Sequence, residues 1–472
     1  MRKIKKVVLT IPNLRWHKTD CTLWIVTPYN LCLLTAMINN EYDVVIVDAN
    51  IDNLSVEDFT VAIQREEPDF VGISVLTDEY GEAGHIAARL VKEINREIIT
   101  VIGGVYATSA YSDIIRDKNI DYIVIGEGEY VLKDLLGFLN GLCDLPKSGI
   151  AYRQNGKLVM TGHAPFIKDL DSLPMPAYDK IDYFKYANTI GRLSVDSPRE
   201  LPYARMFTSR GCPIGCIFCQ VEKISGRMFR SRSPENVLKE MEWLKDRYGT
   251  KAVIFDDDNF FVNKRRAREI FNGMIRRRLL LKWNAIAVPV FLLDEEILEI
   301  MRESGCQFVD LAIESGVQRV LDEIIKKPVK LDKAKRIIKK AKALSIDVAT
   351  NFVIGFPGET WKEIRQTLRF AEMIDVDYVK IFIANPLPET KLYNMAKEGG
   401  YLVNSPLMSW RYGRIKTDEF TPQDLTILRA YEWDRINFSS SEKKKKITAM
   451  MNISEEELDQ IRQQTRWSLR FS

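Results

Sequence analysis

Two separate parts of this chain alternate short β-branched runs with amphipathic stretches, and that rhythm constrains its fold more than any other feature. Up to about residue 140 the runs cover 7–11, 44–47, 70–75, 100–102 and 122–125. Each has strand length and a composition that suits a pleated, buried surface. Between two of them, Ala83, Ile86, Ala87, Leu90, Val91 and Ile94 recur at the spacing of one buried helix face. Strands alternating with helices predict a parallel, doubly wound, Rossmann-like sheet whose ligands lie at the carboxyl ends of the strands. Those ends read Pro12-Asn13, Asp48, Ser74-Val75-Leu76-Thr77, Gly103-Gly104-Val105 and Gly126-Glu127-Gly128-Glu129. The glycines permit close backbone approach to a large ligand, or make tight strand–helix turns and nothing more. No GxGxxG follows the first strand, which disfavours a dinucleotide site.

The rhythm lapses over 141–200, where Pro174 and Pro176 block regular helix and a small hairpin is expected at 149–160. It returns at 206–208, 252–255, 283–287, 308–312, 348–354 and 378–382. Six such units predict a partial (β/α)6 TIM-like barrel, with its chemistry at the carboxyl ends of the strands. Residues 396–472 read as mainly helical, with Trp410, Trp433 and Trp467 as packing groups. The expected domains are therefore 1–140, a linker at 141–200, a barrel at 201–395 and a helical region at 396–472.

After the first barrel strand comes Arg210-Gly211-Cys212-Pro213-Ile214-Gly215-Cys216-Ile217-Phe218-Cys219, with three of the seven cysteines in eight residues. Pro213 and Gly215 argue against a regular helix, so a loop is expected. Four thiolates would close a zinc or iron–sulfur site, whereas three leave one metal position open. Buried small hydrophobes, or a zinc site with one distant ligand, are the competing readings.

The CxxxCxxC spacing with Phe218 before the last cysteine resembles the signature of the radical S-adenosylmethionine (SAM) enzymes. The preceding domain, with its Gly103-Gly104 and Gly126-Glu127-Gly128-Glu129 turns, looks like the cobalamin-binding domain of class B of that family. The resemblance implies that Cys212, Cys216 and Cys219 hold a [4Fe-4S] cluster whose remaining iron is chelated by SAM. Reductive cleavage of SAM would give a 5′-deoxyadenosyl radical. It implies SAM contacts from Phe218, from Asp257 and Asp258 after the second barrel strand, from Glu314 and Ser315 after the fourth, and from Gly355 after the fifth. It implies cobalamin contacts from Ser74, Leu76, Thr77, Gly103, Gly104, Val105, Gly126, Glu127 and Gly128. The DxHxxG motif that supplies an axial histidine is absent, so cobalamin without histidine below cobalt is expected.

The implied function is a cobalamin-dependent methyltransferase acting on an unactivated carbon of a small-molecule or lipid-like metabolite, through methylcobalamin and the deoxyadenosyl radical. A non-methylating radical enzyme and a non-catalytic cobalamin or metal sensor are the alternatives, and no catalytic side chain is singled out. The resemblance also implies an external electron donor of flavodoxin or ferredoxin type.

Composition excludes more than it selects. With 68 basic against 65 acidic residues the net charge is +3, which leaves no nucleic-acid footprint. No apolar run approaches the length of a membrane span. The basic runs at 276–278 and 443–446 read as solvated faces, with a peripheral membrane position as the other reading. The odd cysteine number fits a reducing cytoplasm.

Overall fold

The computed structural model describes residues 3–17, 25–189, 194–403 and 411–467. The chain divides into two compact units, Met1–Tyr186 with Lys223–Gly226, and Ala187–Glu222 with Arg227–Ser472.

The first unit is organised by β1 (Lys6–Ile11), β2 (Asp43–Asp48), β3 (Phe70–Ser74), β4 (Ile99–Gly103), β5 (Tyr122–Val124), β6 (Ile150–Gln154) and β7 (Lys157–Met160). Their spatial order is β2-β1-β3-β4-β5-β6-β7. The first five are parallel, and β6 and β7 add antiparallel. Alternate residues of one strand serve two cores: Val8 packs with Ala87 and Val91, while Val7 and Leu9 pack with Leu31 and Leu135. A sheet covered on both faces needs apolar residues at every position, which is why its strands read as continuous apolar runs.

The first unit extends past the expected boundary at 140. Its β6–β7 hairpin completes the open edge of β5, and the Tyr186 hydroxyl donates to the Asp48 carboxylate at 2.8 Å. Unpaired strand edges and buried carboxylates both need partners, and residues 141–186 supply them.

The second unit contains β8 (Tyr203–Met206), β9 (Ala252–Phe255), β10 (Lys282–Pro289), β11 (Cys306–Glu314), β12 (Asp347–Ile354) and β13 (Tyr378–Ile383). All six are parallel and neighbours in chain order, the arrangement of a partial barrel. Outward positions meet the helices; Trp283, for example, stacks on Phe271 at 4.8 Å between ring centroids. Inward positions form layers. The lowest holds Phe308, Ala349 and Tyr378, closed by Phe438, Ile447, Met450 and Leu458 of the C-terminal helices. Those helices are Pro422–Asn437, Ser441–Met451 and Glu455–Trp467. Trp433 belongs to this packing and donates to the Tyr378 hydroxyl at 2.9 Å. Trp410 and the Trp467 side chain lie outside the described residues.

The next layer up is polar. Lys380 donates to both oxygens of Asp196 at 2.7 Å and to Asp310 at 3.0 Å. Asn351 donates to Asp310 at 3.0 Å, and Arg205 pairs with Asp256 across the layer.

Candidate active site

The cysteine loop leaves the carboxyl end of β8 and is pinched shut by a two-residue antiparallel ladder, Ser209–Arg210 against Arg230–Ser231. Its three cysteines are partly buried and outside any disulfide. Cys219 N–H donates to the Cys216 carbonyl at 3.2 Å, so the segment curls as a turn. Burial pushes the Cys216 thiol up to about 12; Glu314, Cys219 and Cys212 add to the rise and Lys327 opposes it. Burial likewise raises Cys219 to about 11, with contributions from Cys212, Asp258 and Glu314. The three sulfurs therefore share one electrostatic neighbourhood. The loop docks on the turn after β13, where Leu392 N–H donates to the Ile217 carbonyl at 2.9 Å and Gln220 to the Pro388 carbonyl at 3.3 Å.

The acidic run after β9 zips along this loop. Asp257 accepts from the Thr208 hydroxyl at 2.5 Å, from the Ser209 hydroxyl at 2.9 Å and from the Thr208 backbone. Asp258 accepts from Gly211 N–H at 2.8 Å, and the Asn259 amide reaches the Cys212 sulfur at 3.5 Å. Successive residues thus grip successive points of the cysteine loop. Asp257 is braced against protein donors on the cysteine loop. Burial pushes its carboxyl up, offset by Arg266 and the Thr208 and Ser209 donors. Asn259 makes no capping bond; Asn263 caps the next helix.

Glu314 ends β11 at φ +78°, a left-handed conformation uncommon for a side-chain-bearing residue. The register with β12 slips there. The twist turns Glu314 toward Lys327, with which it forms a buried ion pair; Lys327 also donates to the Ala312 carbonyl at 3.0 Å. Ser315 is fully buried, its hydroxyl on Thr367 at 3.1 Å and accepting from Val317 N–H at 3.1 Å. That side chain holds the turn after β11. After β12, Glu359 accepts from Gly355 N–H at 2.7 Å and Phe356 N–H at 3.1 Å. Phe218 lies against Phe356 with ring centroids 5.8 Å apart, which brings the fifth strand end to the cysteine loop.

In the first unit, the ends of β3, β4 and β5 form one rim. Val75 N–H donates to the Gly103 carbonyl at 3.0 Å, and Gly126 N–H to the Thr108 hydroxyl at 3.0 Å. Ser74 accepts from Asn30 at 2.9 Å. Gly104 has φ +100°, and a Cβ there would run into the Val75 carbonyl oxygen. Leu76 is exposed, and the buried Thr77 hydroxyl has no protein partner. Val105 begins the helix Val105–Ile114 and Gly128 the helix Gly128–Leu139. Glu127 accepts from Ile167 N–H at 2.7 Å, a tie to the segment after the hairpin. His85 lies in the helix Gly81–Ile94, bonded to Asp117 at 2.7 Å and Tyr106 at 3.1 Å.

Comparison with known proteins decides the family. The family model of the Radical SAM superfamily matches residues 206–371, and that of the B12 binding domain matches 20–136. An uncharacterized methyltransferase of Pyrococcus horikoshii is 32% identical over 90% of this chain and 91% of its own. Cytidylyl-2-hydroxyethylphosphonate methyltransferase of Streptomyces wedmorensis is 30% identical over 75% of this chain and 74% of its own. The chain belongs to the cobalamin-binding radical SAM family. The structure of the cobalamin-dependent SAM radical enzyme OxsB aligns with a TM-score of 0.73 at 17% identity, covering 96% of this chain and 71% of that one.

The residues present fit this family's cofactors, [4Fe-4S], SAM and cobalamin. A loop of three thiols with an amide donor turned to one sulfur offers a cluster its ligands. Among the described residues no three His, Cys, Asp or Glu side chains gather tightly enough to share a single metal ion. A cubane, whose ligands take different irons, does not require them to. The rim of the first unit offers an exposed leucine and small residues to a corrin face, and the Thr77 hydroxyl as a polar contact. Two residues of this cobalamin-binding radical SAM site escape sequence reading. Lys327 sits in a basic, Pro-flanked stretch with no pattern that marks burial. Asn259 closes a run of three aspartates, and nothing in that pattern marks its contact with the Cys212 sulfur.

Proposed function

We propose that this chain transfers a methyl group from SAM to an unactivated carbon of a polar small molecule. The observation that carries the reading is its match to a methyltransferase across about nine-tenths of both chains. Bound cofactors would supply a methyl carrier and a hydrogen-abstracting radical. The chain's own part is to hold the three thiolates on one short loop, to brace that loop through Asp257 and Asp258, and to shape the fifth strand end through Glu359. Contacts from Glu314, Phe218 and Gly355 to SAM remain part of the reading, with the cysteines as cluster ligands.

The polar layer supports a polar substrate over a lipid-like one: Arg205, Asn351 and Lys380 are partly buried inward positions on their strands, with the apolar Phe382 on the same face as Lys380. The basic runs that suggested a membrane surface are tied to acids of the same unit. Arg277 pairs with Glu235 and Glu242, and Lys446 with Asp347. No described helix is long and apolar enough to cross a membrane. An external one-electron donor of flavodoxin or ferredoxin type, as the family resemblance implies, completes the proposal.

The test is to incubate the reduced holoprotein with trideuteromethyl-SAM and an extract of small metabolites. A metabolite that gains the intact labelled methyl group supports the reading. Deoxyadenosine formation with a changed but unlabelled metabolite replaces it with a non-methylating radical reaction.

A further inference from the structure

Asn259 is almost completely buried, and its side-chain nitrogen lies 3.5 Å from the sulfur of Cys212. The amide oxygen is buried without a protein partner. A thiolate accepts and does not donate, so the N–H end must be the one turned to sulfur. The three residues before Asn259 are aspartates, each held elsewhere: Asp256 by Arg205, Asp257 by Thr208 and Ser209, and Asp258 by Gly211. The amide thus stands at the position of the run whose side chain reaches the Cys212 sulfur, where a carboxylate would repel it. Hydrogen bonds to ligating sulfurs stabilise the more negative, reduced state of an iron–sulfur cluster and raise its potential.

We propose that Asn259 is a positioning residue that sets the reduction potential of the cluster through its N–H···S bond to Cys212. The inference rests on the assignment of Cys212 as a cluster ligand. The role is electronic and separable from loop bracing, which Asp257 and Asp258 carry.

The test is an EPR-monitored redox titration of reconstituted protein without SAM, for wild type, Asn259→Ala, Asn259→Asp and Asn259→Ser, each with iron quantified. Alanine removes the donor and should shift the reduction equilibrium about tenfold toward the oxidised cluster, about 59 mV for a one-electron couple. Aspartate, of equal size, removes the donor and adds charge, so its midpoint should fall lower still. Serine keeps a donor and should lie between alanine and wild type. Equal midpoints in wild type and the aspartate variant would overturn the proposal, even if the alanine variant fails to load a cluster. A full iron complement in the Cys212→Ala variant would overturn the ligand assignment beneath it, a different result from unchanged midpoints.

Discussion

Lys327 and Glu314 form a buried ion pair beside the Cys216 thiol, each with less than a tenth of its side chain accessible. Breaking a buried pair from one side leaves an uncompensated charge, which costs about 3–5 kcal/mol. Lys327→Met is therefore expected to lower unfolding stability by about that amount in urea titrations. The Lys327→Met/Glu314→Gln double variant should recover most of the loss, because it buries no lone charge. Equal losses in the single and double variants would assign the effect to packing instead.

The three cysteines proposed as cluster ligands should separate cleanly from the others. Cys212→Ala, Cys216→Ala and Cys219→Ala should each lose cluster iron and 5′-deoxyadenosine production. Cys143→Ala, at an exposed position of the first unit, should retain both. Iron analysis paired with chromatography of the nucleoside product checks the contrast.

Two adjacent glycines at the rim of the first unit should behave differently. An added Cβ at Gly103 meets Val124 at 3.8 Å, an ordinary contact, whereas Gly104 combines φ +100° with the Val75 carbonyl. Gly104→Ala is expected to cost on the order of 1–3 kcal/mol of local stability and to weaken cobalamin retention. Gly103→Ala should leave retention near wild type, measured as cobalt per chain after gel filtration.

Glu359 gives a pH dependence with a defined sign. Burial raises its carboxyl to about 8, against an ordinary value of 4.5. A carboxyl raised by folding stabilises the fold while both states are protonated, and that contribution is lost as pH climbs through the folded value. Stability of the wild type should therefore fall relative to Glu359→Gln between about pH 5 and 8, by up to about 1.4 kcal/mol per pH unit. Parallel stability curves for the two proteins would show that Glu359 does not titrate in this range.

Much of this architecture is legible in the sequence because parallel strands buried on both faces must be apolar throughout. The strand at Ala252–Phe255 falls where its apolar run lies. The cysteine loop is legible because Pro213 and Gly215 forbid the helix that its spacing would otherwise allow. The hairpin is visible too, but its membership in the first sheet depends on the open edge of β5, a long-range pairing. The protein partners of Asp257 and Ser315 are hidden for a related reason. A strand-end carboxylate or hydroxyl looks the same in sequence whether its partner is a ligand or the neighbouring Thr208 or Thr367. The polar layer is hidden as well, since Lys380 and Asp310 meet across strands 70 residues apart.

The most direct test of methyl transfer needs no substrate. Anaerobically prepared holoprotein, with cobalt and iron quantified, is reduced and given trideuteromethyl-SAM, and the bound cobalamin is then extracted for mass spectrometry. Labelled methyl on cobalamin with a matching yield of S-adenosylhomocysteine is the predicted result. Fully loaded protein that cleaves SAM to 5′-deoxyadenosine yet leaves its cobalamin unlabelled would contradict the account.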